Sequence, residues 1–537
     1  MKKAIGSAAI VLITVILVVL ICPKIVEKKS VIENDYPHQK YAVADSDVGL
    51  KEIPEDGKVG TNFTSHLPLV ILDLNGQQLP DIYQFTEDGM GKQYTSTGKN
   101  NPDPWVSMNM KIIDNTNGNN KICDLPSLEN NGKIKLRGMS SRTFTKKQYA
   151  IKLMQDGEEL ESEVLGMAAD EDWILSNSII DSSGIRNYLA LSIGSKILPY
   201  VPDVRFCEVI IKDGEEYNYL GLYLMMEKIK KSPDRVDIYD YEPDTKLNYI
   251  VCRDRYNAEK YNLSTYATQK GLTYGYFNLV YPNESVVSDK DIKKIENEIS
   301  EVEKSLYGSD IDDFFNYKTY LNVDSFVDYF IVNEFFMNYD AGINSTYYYK
   351  DRHGKIAIGP LWDYDNCLDN YNTMMSDYDI TVFEQRPWFD KLITDSEFQE
   401  RINDRYLELR KTVLSEKYIY NFIDETMKYL GNASLRNDSR WRGDYEEKYK
   451  LQVVEDNKGF AIDRNTNTPL EEATRIKDII RIHGRWMDKE MDDYLSKKIN
   501  KNVDTARTKY YSWIIVIAIV GFICMIIIVD RKAKGIY

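Results

Sequence analysis

Two uncharged apolar runs, one near each end of the chain, constrain its fold more than any other feature. Ala4 to Cys22 is 19 residues long and follows Lys2 and Lys3. Trp513 to Val529 is 17 residues long, with Tyr510 and Tyr511 before it and Arg531, Lys532 and Lys534 after it. Either run is long enough to cross a hydrocarbon layer of about 30 Å. The first lacks an A-x-A cleavage site, so residues 1–29 read as a retained membrane anchor. The second reads as a transmembrane helix over 511–530 with a short basic tail. Two spans put both termini on one side of the membrane. Short basic tails favour the cytoplasm and long loops cross regardless of charge, so the intervening chain is expected outside the cell membrane.

The intervening chain carries the acid. The whole protein of 537 residues has a net charge of −16, although both tails are basic. An acidic domain argues against nucleic acid as a partner, because phosphate recognition needs a basic face. Cys123, Cys207, Cys252 and Cys367 form no C-x-x-C pair, which leaves zinc and thioredoxin chemistry unsupported and one or two disulfides open. The four His lie in no H-E-x-x-H motif and beside no G-x-S-x-G, so metal-hydrolase and serine-hydrolase readings start weak.

Residues 30–65 are polar with scattered Pro and Gly and read as a tether. Residues 66–500 then read as one α+β domain, β-rich to about residue 240 and helical afterwards. Alternation in "WVSMNMKIID" predicts a half-buried strand, and "FCEVIIKDGEEYNYLGLYLMMEKI" predicts a hairpin about Asp213-Gly214. "SSGIRNYLALSIGSKIL" spaces Ile185, Leu189, Ile193 and Ile197 as a helix that packs on this sheet. Residues 289–306 form a second amphipathic helix with Ser288 as its N-cap, and "VDSFVDYFIVNEFFMN" is a buried helix. "STYYYKDRHGKIAIGPLWDYD" is a hairpin turning at Arg352-His353-Gly354.

Charged signatures cluster where the two halves should meet. "GPLWDYDN" sets Asp363 and Asp365 one residue apart, an arrangement a bound cation relieves or water screens. "QYAIK" ends a strand at Lys152 just after a Gly-Ser loop. "NYDAGIN" offers Asp340 and Asn344 after a buried helix. Phosphoryl transfer uses a strand lysine at the phosphates, an Asp base, an Asn, and a metal-binding Asp in that order along the chain. A surface strand lysine, an Asx turn and an acidic turn are the structural alternatives for the three stretches.

Taken together, "LRGMSSRTFTKKQYAIKL", "WILSNSIIDSSGIRNYLAL", "YLGLYLMMEKI", "VNEFFMNYDAGINSTYYYKD" and "GPLWDYDN" resemble the CotH kinase family. The resemblance covers most of the outer part. It implies a divergent two-lobed protein-kinase-like fold, ATP with Mg²⁺ or Mn²⁺, and transfer to Ser or Thr of a surface or spore-coat protein. It assigns Lys152 to the ATP phosphates, Asp340 to the base and Asp363 to the metal, with Asp365 and Asn344 as further metal ligands. Arg137, Ser140 and Ser141 fall in the loop over the phosphates, and Glu227 near the hinge that would hold adenine. Arg186 and Asn187 lie on the helix against the cleft, and a structural ion pair is the other reading for Glu227 and Arg186. Met139 stands where the family often has Asn, and three residues rather than four separate Asp340 from Asn344. A non-catalytic scaffold for coat or envelope assembly, and a transferase acting on an envelope polymer, are the competing readings.

Overall fold

Strict alternation of apolar and polar residues builds the first half of the chain. In β2 (Val106–Ile113), the second half of β3 (Leu128–Leu136) and β4 (Tyr149–Gln155), every second residue is buried. The computed structural model describes residues 36, 45–80, 83–88, 91–96, 104–115, 118–138, 140–176, 178–257, 260–370, 377–455, 459 and 461–533. With β1 (Leu69–Asp73), β5 (Asp172–Ser176), β6 (Val204–Asp213) and β7 (Glu216–Glu227), these strands pair in the order β7-β5-β4-β3-β2-β1-β6. β6 then pairs with β7, so the sheet closes on itself as a barrel. All neighbours are antiparallel except β1 and β6, which are parallel.

The expected sheet is therefore a barrel, and two features bend it. The register of β6 on β7 shifts between Val209 and Ile210, which leaves Leu220 as an extra residue. Next to it, Gly221 takes a φ of +110°, open only to glycine. A bulge of this kind kinks a strand and increases its twist. The barrel interior is hydrocarbon, with Val70, Met110, Ile134, Ile151, Leu153, Trp173, Leu175, Val209 and Met225 in one cluster. Each such side chain contributes about 1.5–3 kcal/mol on burial.

The outer face of β5, β6 and β7 carries Ile174, Val204, Phe206, Leu222, Leu224 and Met226, which join the core of the second half. The helix α1 (Arg186–Gly194) seals that junction, with Tyr188 4.5 Å from Phe206 between ring centroids. Residues 228–248 lead to an antiparallel sheet of β8 (Tyr249–Asp254), β9 (Asn262–Leu263), β10 (Tyr276–Tyr281), β11 (Thr346–Lys350) and β12 (Ala357–Ile358), ordered β9-β10-β8-β11-β12. Around it stand α2 (Asp289–Tyr307), α3 (Val323–Phe335), α4 (Ser396–Arg410), α5 (Glu416–Asp444) and α6 (Pro469–Ser496). α2 starts as its sequence requires, with the Ser288 hydroxyl accepting from the Asp291 N–H.

Three expectations change or fall outside the described part. Residues 45–65 are no loose tether: Lys58–Val59 pairs with β7, and Asn432 and Arg436 of α5 donate to the carbonyls of Asp47, Val48, Gly49 and Leu50. Cys123, Cys207, Cys252 and Cys367 are free thiols, three of them buried, so no disulfide joins them. The anchor over 1–29 lies outside the described residues. At the other end α7 (Lys501–Ala533) is the one described helix long and apolar enough to cross a membrane. Val503 docks it on the domain core, while Trp513, Ile517 and Ile519 are exposed.

Candidate active site

The antiparallel pairing of β11 with β12 brings two distant stretches to one end of the second sheet. The turn carrying Asp340 and Asn344 precedes β11, and "LWDYD" follows β12. Asn338 ties them together. Its Oδ1 accepts from the N–H groups of Asp340 (3.3 Å) and Ala341 (3.4 Å), and its Nδ2 reaches the Asp363 carbonyl (3.5 Å). Asn344 donates through Nδ2 to Asp340 Oδ1 at 2.7 Å, which leaves its own Oδ1 as a ligand oxygen. Ser345 Oγ donates to Asp363 Oδ2 at 3.3 Å.

Asp363 has a φ of +65°, a left-handed conformation uncommon outside glycine. Neighbours from the first half hold this turn. Asn187 accepts from the Tyr364 N–H at 2.7 Å. Arg186, fully buried, donates to the carbonyls of Cys367 and Leu368 and pairs with Asp181 (2.7 Å) and Glu472 (2.5 Å). Arg186 is thus a structural ion pair, and it holds the backbone that follows the two acids.

Burial pushes the Asp363 carboxyl well above the ordinary carboxylate range, and the charges of Asp365 and Asp340 push the same way. Burial also raises Asp365, and Arg137 is the cation that opposes the shift at Asp363. Arg137 follows β3, lies 5.5 Å from the Trp362 ring centroid and donates to Gln148 Oε1 at 2.7 Å. After it, Gly138 at φ +94° closes a tight turn against Ser141, whose Oγ would stand 1.9 Å from an added Cβ. Ser140 opens the 3₁₀ turn Ser140–Thr143 that carries Ser141. The structure thus gathers Arg137, Asp340, Asn344, Asp363 and Asp365, with Ser140 and Ser141 on the loop next to them.

Lys152 is not brought into this group. It stands on the outer face of β4, four residues beyond Gln148 and so about 13 Å along the strand. Its Nζ meets Glu159 (2.7 Å), Asp172 (3.3 Å) and Glu171 (3.9 Å). Glu227 ends β7 just before the linker, where it accepts from Tyr200 Oη (3.1 Å) and the Asp203 N–H (3.0 Å). Its carboxylate is occupied by that loop and not by Arg186.

Two acidic groups are therefore on offer to a cation, and their surroundings separate them. Asp170, Glu171 and Asp172 are the described trio whose ligand atoms all lie within 4.8 Å of one another. Lys152, Lys228, Lys230 and Arg235 already neutralise them at 2.5–3.3 Å. Asp363, half-buried, and Asp365, buried, stand together with much less compensation, and oxygen donors in excess of nearby positive charge fit a hard divalent cation. Asp340, Asp363 and Asp365 do not form a trio that close among the described residues.

Sequence reasoning placed Asn187 on the helix against the cleft but passed over Asn338, Ser178, Asp181 and Lys146. Ser178 lies beside Asp365 and Asp181 anchors Arg186. Each sits within a stretch that stood out by pattern, but no spacing rule distinguishes it there from its neighbours.

By fold this is a mixed α+β chain, a closed barrel joined to a sheet-and-helix half, with a buried acidic centre at the second sheet near the junction. The family model described as "CotH kinase protein" matches residues 134–487, and the chain belongs to the CotH kinase family. No curated protein matches it. Among solved structures, the Shewanella oneidensis MR-1 toxin–antitoxin system HipA, HipB and operator DNA complex matches at 11% identity and a TM-score of 0.23. That match covers 65% of this chain and 65% of the other, just under two thirds of its length.

Proposed function

We propose that this CotH-family chain is a membrane-anchored phosphotransferase that moves the γ-phosphoryl of ATP to a Ser or Thr hydroxyl of a surface or coat protein. The observation that carries the reading is the close pair of half-buried Asp363 and buried Asp365 with Arg137 as its nearby cation, beside the Asp340–Asn344 turn. Asp363, Asp365 and the Asn344 Oδ1 are the residues that would hold Mg²⁺ or Mn²⁺. Bound there, the cation would supply charge neutralisation on the phosphate oxygens. Arg137 and the Ser140–Ser141 turn face the phosphates of the nucleotide. Asp340 accepts the proton of the acceptor hydroxyl as its oxygen bonds to the γ-phosphorus. The bond from that phosphorus to the β–γ bridging oxygen breaks, and ADP leaves with the electron pair. α7 holds the domain to the membrane.

One observation favours the scaffold reading: the strand lysine that the family resemblance assigns to the phosphates is held by Glu159 and Asp172 instead. Incubating the purified full chain with labelled ATP and Mn²⁺ or Mg²⁺ decides between the two. Transfer is expected from the parent and none from Asp363→Asn, whose thermal midpoint should stay within about 2 °C. Asp365→Asn should lose less if Asp365 only supports the ligand. A parent that neither transfers phosphate nor is stabilised by ATP with Mn²⁺ leaves the scaffold as the reading.

A further inference from the structure

Lys146 is a charged group that the proposed reaction does not use, yet it is 1% exposed. It belongs to "FTKKQ", between the 3₁₀ turn Ser140–Thr143 and β4. Its Nζ donates to the Leu222 carbonyl at 2.8 Å and to Asn437 Oδ1 of α5 at 2.6 Å, and stands 4.7 Å from the Tyr223 ring centroid. These acceptors are neutral, and no carboxylate lies within 4.0 Å among the described residues. Burying an ammonium on neutral oxygens is costly, and the cost is offset only where the surroundings hold those oxygens in place.

The surroundings are built for it. Asn437 Oδ1 also accepts from the Leu222 N–H at 3.0 Å, so one amide oxygen joins helix, strand and lysine. Gly221 supplies the room, since a Cβ there would meet Asn437 Oδ1 at 2.5 Å, Trp441 Nε1 at 3.0 Å and Lys146 Nζ at 3.2 Å. Trp441 Nε1 donates to the Leu220 carbonyl at 2.8 Å. One residue earlier, the Thr145 N–H donates to Tyr449 Oη at 2.9 Å, and Phe144 packs edge-on against the Tyr449 ring. Segment 144–146 is thus fastened to α5 and the turn after it.

We propose that Lys146 is a positioning residue, a clamp that seats the Arg137–Thr143 loop of the barrel on α5 and thereby sets where that loop meets a nucleotide. The inference deepens the phosphotransferase reading and rests on it only for its kinetic consequence. The clamp itself is testable without activity. Amide hydrogen exchange on the full chain should show residues 137–145 exchanging at least tenfold faster in Lys146→Met and in Asn437→Leu than in the parent, with β3 and α3 unchanged. Asn437→Asp keeps both acceptor contacts and should keep the loop protected. The double variant Lys146→Met/Asn437→Leu should exchange no faster there than either single one, because both remove the same contact. Where the parent transfers phosphate, Lys146→Met should raise KM for ATP about tenfold and leave kcat within about twofold. Unchanged loop exchange in Asn437→Leu overturns the clamp. So does exchange that rises across the whole barrel, which would make Lys146 an ordinary packing residue. Normal loop exchange in the parent with no transfer would sink the phosphotransferase reading and leave the clamp standing.

Discussion

The two halves keep their charges in opposite places. Inside the barrel, the buried cluster is hydrocarbon, aromatic and sulfur, and its ionisable neighbours Lys146, Asp170, Asp172, Glu208 and Glu227 sit on the outer face or at the barrel ends. In the second half, Arg253, Glu303, Glu334, Asp365, Asp369, Arg464 and His483 are buried among the helices. A barrel can be filled by volume alone, because every backbone group is paired around the ring and nothing polar need enter. Helices that converge on a functional centre leave loop carbonyls and turns inside, and buried charges must hold them. The first half should therefore respond to substitution through volume, and the second through lost partners.

The sharpest break in that contrast comes at Arg186. Arg186→Met keeps the volume but leaves Asp181 without its cation and the Cys367 and Leu368 carbonyls without donors. It should cost about 3–5 kcal/mol, read from urea denaturation of the chain. A barrel change of similar reach is smaller and purely apolar. Leu153→Ala, fully buried, should cost about 3 kcal/mol with no pH dependence of its own. A strongly pH-dependent loss there would show that the barrel interior is not the hydrocarbon filling described.

A third test uses pH. Glu334 in α3 accepts the N–H groups of Val382 and Phe383, and burial pushes its carboxyl up to about 8 from the ordinary 4.5. Between those values the folded chain holds a proton that the unfolded chain has released. Stability should fall as pH rises through this window, by at most about 1.4 kcal/mol per pH unit. Glu334→Gln should remove that slope between about pH 5.5 and 7, measured as urea midpoints, about 1 pH unit inside each end of the window. An unchanged slope would assign it to other groups. The smallest effect is expected at Lys152. Its ion pairs lie at the barrel surface, so Lys152→Ala should cost under about 1 kcal/mol. It should also leave ATP binding unchanged, while Arg137→Ala weakens binding about tenfold by isothermal titration. Equal losses in both variants would return Lys152 to the phosphates.

Period-2 alternation made β2, β4 and the β6–β7 hairpin legible, and the helical stripe with Ser288 marked α2, because each depends on near neighbours. The closure of the barrel did not show, since β1 and β6 pair in parallel across 130 residues of chain and no local pattern records a partner that far away. At the candidate site the close pair Asp363 and Asp365 announced itself by repulsion between neighbours in sequence. The Asp340–Asn344 turn was readable as a turn. Lys152 drew attention by its motif while Lys146, six residues earlier, did not, because burial is invisible in a run of lysines.

What the chain determined by itself is its periodicities, its apolar ends, its turn residues and the spacing of its acids, all consequences of backbone geometry acting over a few residues. Tertiary structure alone decided which acids share a site, which cation faces them, and which charges are buried with partners. Those outcomes turn on low local dielectric and on contacts between residues hundreds of positions apart, such as Arg186 with Glu472 and Lys146 with Asn437.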